Sequence, residues 1–191
     1  MVGKYRKFDN MEEESKTVRK SKYTEGGDVF CIPLFMPKDD WKLKTKLSEK
    51  DLDKDFAFGR VIETNSSVLV EIFNKIGSCR VDIDEIINSG IMISPIQIFW
   101  DGVVKGRWKI IGRTEDYDKF ANSNYSNLKM AFGTGDDDFR LRNLSTTEEK
   151  PILRKDLVHY EFSMVWFPID LENRIIKILG VQNYIENKID N

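Results

Sequence analysis

The chain has 191 residues, 40% apolar and 12% aromatic, which is enough to build the core of one domain. Its net charge of −2 at pH 7 lacks the basic excess typical of nucleic-acid-binding proteins. No apolar run is long enough to cross a bilayer, and the start of the chain has no apolar signal segment. Two cysteines are too few for a disulfide framework. We therefore expect a cytoplasmic protein with reduced thiols and no membrane or nucleic-acid partner.

Residues 1–25 are polar and mixed in charge, so they are predicted to form an arm outside a single domain of residues 26–191. The domain opens with a strand over Val29–Leu34 whose two faces are both apolar. Pro33 cannot donate a hydrogen bond to a neighbouring strand. Its presence predicts that this strand lies at a sheet edge or that its end forms a bulge.

A charged insert follows at residues 38–55, with the sequence KDDWKLKTKLSEKDLDKD. A loop of this length inside a compact domain is typical of a functional segment or an insertion. Trp41 is its one large apolar residue and is therefore a candidate contact with a partner. Ser48 is placed to cap a short helix over Glu49–Lys54.

A β-hairpin is predicted next. Phe56, Phe58 and Ile62 alternate with smaller residues, the segment ETNSS makes the turn, and Val68, Val70 and Ile72 line one face of the return strand. Gly59, inside the first strand, predicts a bulge or a close approach of two backbones.

The rest of the chain alternates short strands with short helices. A helix is predicted after Asp82, with Glu85 completing a capping box and Gly90 ending the helix. Strands are predicted at Ile96–Trp100 and at Trp108–Ile111, where Gly112 ends the second one, and Thr114 is predicted to open another helix. The remaining predicted elements are strands at Leu128–Phe132, Phe139–Leu141 and 157–166, and a helix after Pro168 that stops at Gly180. This order predicts an α+β, mainly β fold, built on a twisted or barrel-like antiparallel sheet with a few short peripheral helices.

Few residues suit catalysis. His159 is the single histidine, whereas a zinc site usually needs at least two, so we expect no metal and no cofactor. Cys31 lies in an apolar strand, where a thiol stays neutral, and Cys79 has no base nearby in the sequence. A small hydrolase that uses Cys31 or Cys79 with His159 remains the enzymatic alternative to a binding protein.

Two further features are candidate contacts. Asp136, Asp137 and Asp138 follow glycines in GTGDDD, without the spacing of an EF-hand loop, which favours a solvated turn that could meet a basic partner. Arg60 shares the predicted face of Phe58 and therefore needs an ion-pair partner or a place at the rim of an interface.

Four segments in order, GDVFCIPL, FAFGRVIE, VLVEIF and GRWKIIGR, resemble the Immunity protein 26 family of bacterial polymorphic toxin systems, which is also described as phosphotriesterase-associated. The resemblance spans about residues 26–113, and the ordered set is more specific than any one motif. The residues that match the family pattern are Gly27, Asp28, Phe58, Gly59, Arg60, Trp108 and Gly112. A single histidine is too few for a phosphotriesterase metal centre.

The resemblance implies a mostly β protein that binds and neutralises a cognate toxin inside the producing cell. In this interpretation the candidate toxin-binding residues are Trp41, Arg60 and the three aspartates at 136–138, and a basic toxin would favour the aspartates. A general protein- or peptide-binding β module, unrelated to toxins, is the other binding hypothesis.

Overall fold

The fold is described from a computed structural model, and the structure describes residues 24–36, 47–65, 67–134 and 138–180. This part of the chain contains ten β-strands: β1 (Asp28–Pro33), β2 (Phe56–Thr64), β3 (Val68–Gly77), β4 (Ile91–Ile98), β5 (Lys109–Arg113), β6 (Lys129–Phe132), β7 (Arg140–Asn143), β8 (Glu149–Pro151), β9 (Glu161–Phe162) and β10 (Val165–Trp166). It also contains four α-helices: α1 (Ile83–Asn88), α2 (Asp101–Val104), α3 (Lys119–Asn122) and α4 (Pro168–Leu179). Short 3-10 helices lie at Glu49–Asp53, Tyr125–Asn127 and Arg154–His159.

The strands form two sheets. The larger sheet has the order β10-β4-β3-β2-β1-β5, and the smaller one has the order β8-β7-β6-β9. All neighbours are antiparallel except β10 with β4 and β9 with β6, which are parallel. Ser163 and Met164 alone separate β9 from β10, so a two-residue link joins the edge of one sheet to the edge of the other.

Alternation along β1 divides the core into two layers. Phe30 and Ile32 point to the face that α4 covers, where they join a cluster containing Leu171 and Ile175. Val29 and Cys31 point to the opposite face and pack with Phe58 and other apolar side chains beneath α1. The larger sheet is therefore buried on both faces at its centre, as the two apolar faces of β1 predict.

The mainly β prediction is confirmed, and so is the hairpin of β2 and β3. The described strands do not close into a barrel, because β10 and β5 are the two open ends of the larger sheet. Pro33 does not lie in an edge strand, since β1 pairs with both β2 and β5. Its missing N–H is tolerated because the pairing with β5 ends at Cys31.

Several element boundaries differ from those predicted. Gly112 lies inside β5, helix α2 begins directly after Trp100, and Asp118 instead of Thr114 caps the helix of residues 119–122. Asp82 caps α1 as predicted, with its carboxylate accepting from the Asp84 N–H. The capping box does not form there, because the carboxylate of Glu85 binds Lys75 Nζ at 2.9 Å. The short helix after Ser48 forms as a 3-10 helix.

The largest error concerns residues 157–166, predicted as one strand. This segment contains the end of a 3-10 helix, then β9 and then β10, each of the two strands being two residues long. The apolar alternation is real, but the segment changes from one sheet to the other halfway along. Several of its apolar side chains are therefore exposed instead of facing a core.

The cysteines also differ from expectation. The structure joins Cys31 and Cys79 in a disulfide, with their Cα atoms 6.4 Å apart. Cys31 is fully buried in β1, as its apolar neighbours predict. The expectation of two reduced thiols is therefore wrong for this structure. The bridge fastens the segment after β3 to β1, an interior strand of the larger sheet.

Gly59 lies at a register shift between β2 and β3, in agreement with the predicted bulge. A Cβ atom at this position would lie 2.5 Å from Phe30 Cζ and 3.0 Å from the carbonyl oxygen of Glu71. We expect Gly59→Ala to lower the free energy of unfolding by about 1–3 kcal/mol through overpacking. Gly77→Ala is the matched control, because no atom lies within 4 Å of a Cβ built there. Urea denaturation of both variants measures the difference, and equal effects would contradict it.

Candidate interaction surface

The structure separates the predicted contact residues. Trp41, Asp136 and Asp137 lie outside the described residues. Asp138 is exposed, and its carboxylate lies 3.8 Å from Arg140 Nε. Arg60 is only 1% exposed, so its side chain has no surface with which to contact a partner directly. Of the two predicted roles for Arg60, an ion pair or a place at an interface rim, the geometry matches the ion pair.

Arg60 is the centre of a buried polar network. Its Nε donates to Glu71 Oε1 at 2.8 Å, and one terminal nitrogen donates to the Asn122 carbonyl oxygen at 2.7 Å. The Ser123 hydroxyl donates to the same Glu71 oxygen at 2.7 Å. Both charges are withdrawn from water, and each has at least two hydrogen-bond partners, which is the condition for tolerating a buried ion pair. The network fastens the segment that contains Asn122 and Ser123 to the β2–β3 hairpin.

Tyr117 completes this attachment. Its ring lies 5.1 Å from the guanidinium carbon of Arg60, and its hydroxyl lies 2.8 Å from Ser123 Oγ. Burial raises the pKa of Tyr117 above its ordinary value, so the phenol stays neutral beside the ion pair. Gly27 has a φ of +93°, and a Cβ there would lie 2.7 Å from Tyr117 Cβ. Glycine is therefore required here both by the backbone conformation and by the closeness of the tyrosine.

The other residues of the family pattern also have structural positions. Trp108 is buried, stacks on Phe30 with ring centroids 5.7 Å apart, and donates from Nε1 to Glu172 Oε1 at 2.7 Å. Glu172 also holds Arg107 through two oxygens, at 2.9 Å each, which docks α4 against the loop before β5. Asp28 accepts from the Glu25 N–H at 3.0 Å. The pattern therefore specifies the scaffold, and any contact surface must be sought among exposed residues.

One exposed surface is the loop of residues 114–125, named here the Phe120 loop. Phe120 is 50% exposed and packs edge-on against Tyr125, with ring centroids 5.4 Å apart. Lys119 Nζ lies 3.8 Å from the centroid of the Tyr125 ring and 2.6 Å from Glu63 Oε2. The Tyr125 hydroxyl donates to the other Glu63 oxygen at 2.7 Å. Burial, followed by this hydrogen bond, raises the pKa of Tyr125.

The sequence predicted one helix opened by Thr114 and so did not identify Phe120 as an exposed aromatic. The signal that could have shown it is Asp118, a better helix cap than Thr114. A cap at Asp118 separates Tyr117 from the helix. Tyr117 then packs inward while Phe120 is left in solvent.

A second exposed surface follows residues 153–167, named here the 153–167 ridge. Its exposed apolar side chains are Leu153, Val158, Tyr160, Met164 and Phe167. Phe167 stacks on Phe99 with ring centroids 4.9 Å apart, and both rings are about half exposed. The neighbouring charges on both sides are paired, Arg174 with Glu161 and Lys105 with Asp101.

His159 lies at a shallow groove of about 170 Å³ beside this ridge. Residues from β4, from β6 and from the segment before β9 line the groove, among them Ser94, Met130 and Tyr160. His159 is exposed, as the polar side of its predicted strand suggested. Neither thiol is free to act with it as a nucleophile, because the two sulfurs are bonded to each other. The structure therefore does not assemble the cysteine–histidine pair that the enzymatic alternative needs.

The described residues lack two kinds of feature, a metal-binding group and a membrane-spanning helix. No group of three or more histidine, cysteine, aspartate or glutamate side chains among them is arranged to hold a metal ion. Within the same ranges, no helix combines the length and the apolar character that crossing a bilayer requires.

The chain matches one known protein family. The family model of Immunity protein 26 matches residues 25–138, which is more than half of the chain. The matched region runs from the turn before β1 to the start of β7 and so includes the Arg60 network and the Phe120 loop. No curated protein and no solved structure matches the chain. The extent of the family match, together with the scaffold roles of the family-pattern residues, shows that this chain belongs to the Immunity protein 26 family.

Proposed function

We propose that this protein neutralises a cognate toxin of a bacterial polymorphic toxin system by direct, stoichiometric binding. The observation that carries the proposal is the family match over residues 25–138. An immunity protein needs a stable surface that is complementary to the toxin, and it needs no reacting group of its own. Binding that covers the toxin's active site, or that locks a mobile element of the toxin, is sufficient for protection.

The structure supports this function through what it buries and what it exposes. The charged side chains of Arg60 and Glu172 are buried, and each forms an ion pair inside the protein. Phe120 and Phe167, in contrast, are at least half exposed, and exposed aromatics are the residues that most often anchor protein interfaces. This distribution is typical of a rigid binding protein.

Co-expression tests the proposal. The toxin domain encoded next to this gene should stop growth when it is expressed alone, and this protein should restore growth when both are present. A catalytically inactive toxin should co-purify with it at a fixed ratio. The control is an equal amount of a different immunity protein, which should give no rescue. Continued growth arrest with abundant, folded protein would reject the proposal.

A general peptide-binding module is the second candidate, and one observation favours it. In the described part of the chain, β5 pairs only with β1, so its outer edge is open to an added strand. Such a module would bind extended segments of unrelated proteins. A gene neighbourhood without a large secreted protein, combined with capture of extended peptides, would support this candidate over the toxin inhibitor.

A further inference from the structure

We infer that Phe120 is the anchor with which the protein holds its toxin, and that the acidic residues around Phe120 select a toxin surface that is rimmed by basic residues. This inference rests on the proposed function and specifies the surface that performs it. It concerns a position that was not among the candidate contacts predicted from the sequence.

The first argument is the rigidity of the base beneath Phe120. Tyr125 supports the ring from one side, and Glu63 fixes both Tyr125 and the neighbouring Lys119 through hydrogen bonds of 2.7 and 2.6 Å. Tyr125 is only 6% exposed, so Phe120 is half-exposed on a buried support. A large apolar side chain on a fixed base loses little conformational freedom when it enters a pocket.

The second argument is the fixed backbone. The Asn122 carbonyl oxygen accepts from Arg60, and Ser123 is held between Glu71 and Tyr117. These contacts join α3 to a strand more than 60 residues earlier in the sequence. A fully buried ion pair therefore fixes the position of α3, a four-residue helix whose main exposed side chain is Phe120. Contact residues held by rigid, hydrogen-bonded support of this kind are typical of tight binding sites.

The third argument is charge. Glu115, Asp116 and Asp118 are exposed on the same loop, whereas the one cation there, Lys119, is paired with Glu63. The exposed surface of the loop that presents Phe120 is therefore negative. A second copy of this chain that docked through the same loop would be repelled, and nucleic acid would be repelled for the same reason. The fitting partner is a protein with an apolar pocket between basic side chains, such as a toxin whose cleft binds an anionic substrate.

The 153–167 ridge is a weaker candidate for this role. The formal charges of residues 153–167 sum to zero, with Arg154 and Lys155 offset by Asp156 and Glu161, so they do not indicate a charged partner. It also lies outside the region that the family model matches, whereas Phe120 lies inside that region.

Calorimetry with the full-length protein and the catalytically inactive toxin domain encoded next to its gene tests the inference. Phe120→Ala should weaken binding by about 30-fold or more, which is the usual threshold for an anchor residue. Val104→Ala is the matched control, because Val104 is 76% exposed on α2, and its affinity should change less than about twofold. Thermal melting should show both variants folded. Replacing Glu115 and Asp116 by Gln and Asn should lower the association rate constant at low salt and make this rate constant less dependent on salt.

The outcomes separate the inference from the proposed function. If the unaltered protein binds and neutralises the toxin while Phe120→Ala binds equally well, the inference is overturned and the proposed function stands. Loss of binding in Phe167→Ala alone would assign the interface to the 153–167 ridge and would also overturn the inference. If the unaltered protein does not bind the toxin, both are rejected.

Discussion

Replacing Arg60 by methionine is expected to lower the free energy of unfolding by about 3–5 kcal/mol, the usual effect of removing one partner of a buried ion pair. Glu71, which is 2% exposed, would lose its ion-pair partner in the protein interior and would keep the hydrogen bond from the Ser123 hydroxyl. The Asn122 carbonyl oxygen would lose a donor at the same time. Equilibrium denaturation in urea, followed by tryptophan fluorescence, measures the loss.

Arg80→Met is the matched control for this prediction. Arg80 also binds carboxylates, Asp53 at 2.9 Å and Glu49 at 3.7 Å, but its side chain is 59% exposed. We expect a loss below about 1 kcal/mol, because water and salt screen an exposed pair. Combining Arg60→Met with Glu71→Gln should recover part of the stability, since no isolated charge then remains. Equal losses for Arg60→Met and Arg80→Met would show that burial does not control this ion pair.

Removing the disulfide is expected to have a comparable effect. Cys31 and Cys79 are 48 residues apart, and closing a loop of that length stabilises a fold by about 4 kcal/mol in the chain-entropy account. Cys79→Ala should therefore lower the melting temperature by roughly 8–16 °C for a chain of this size. Cys79 is the better position to replace, because it is only partly buried whereas Cys31 is fully enclosed.

The effect of a reducing agent provides the control. Reduction should lower the melting temperature of the unaltered protein by a similar amount and should leave Cys79→Ala unchanged. Titration of thiols in the denatured, unreduced protein should find none free. Two free thiols, with a melting temperature that does not respond to reductant, would restore the expectation of a reduced protein.

The central strands of the fold could be predicted from the sequence because local patterns specify them. The apolar faces of β1 and the alternation in β2 and β3 depend only on the period of a strand, and Gly180, with a φ of +64°, ends α4 as its position predicts. The need of Arg60 for a partner was also visible, because a charge on an apolar face must be paired or lie at a rim.

Which residue pairs with Arg60 was not predictable. A regular hairpin that continued the pairing of Thr64 with Val68 would place Ile72 opposite Arg60. A register shift between Val61 and Glu63 moves the pairing by one residue and brings Glu71 there instead. Bulges of this kind depend on packing across the whole sheet. The contacts with Asn122 and Ser123 join segments more than 60 residues apart and leave no local signal.

The candidate surface was less predictable than the scaffold. Trp41, Asp136 and Asp137 remain predictions, because they lie outside the described residues. In residues 157–166 the alternation indicated a strand, but a period of two does not reveal whether a strand stays in one sheet. Asp118 could have shown where α3 begins, but whether Phe120 is covered also depends on segments that are distant in the sequence.

The short link between the two sheets limits how the molecule can deform. Three peptide units connect the last residue of β9 to the first residue of β10, and they span roughly 11 Å when fully extended. If the sheets slid further apart than this, one of the two parallel strand pairs would have to break. A load applied to either sheet is therefore passed to the other through this short link, in parallel with the longer connection of residues 114–128 between β5 and β6.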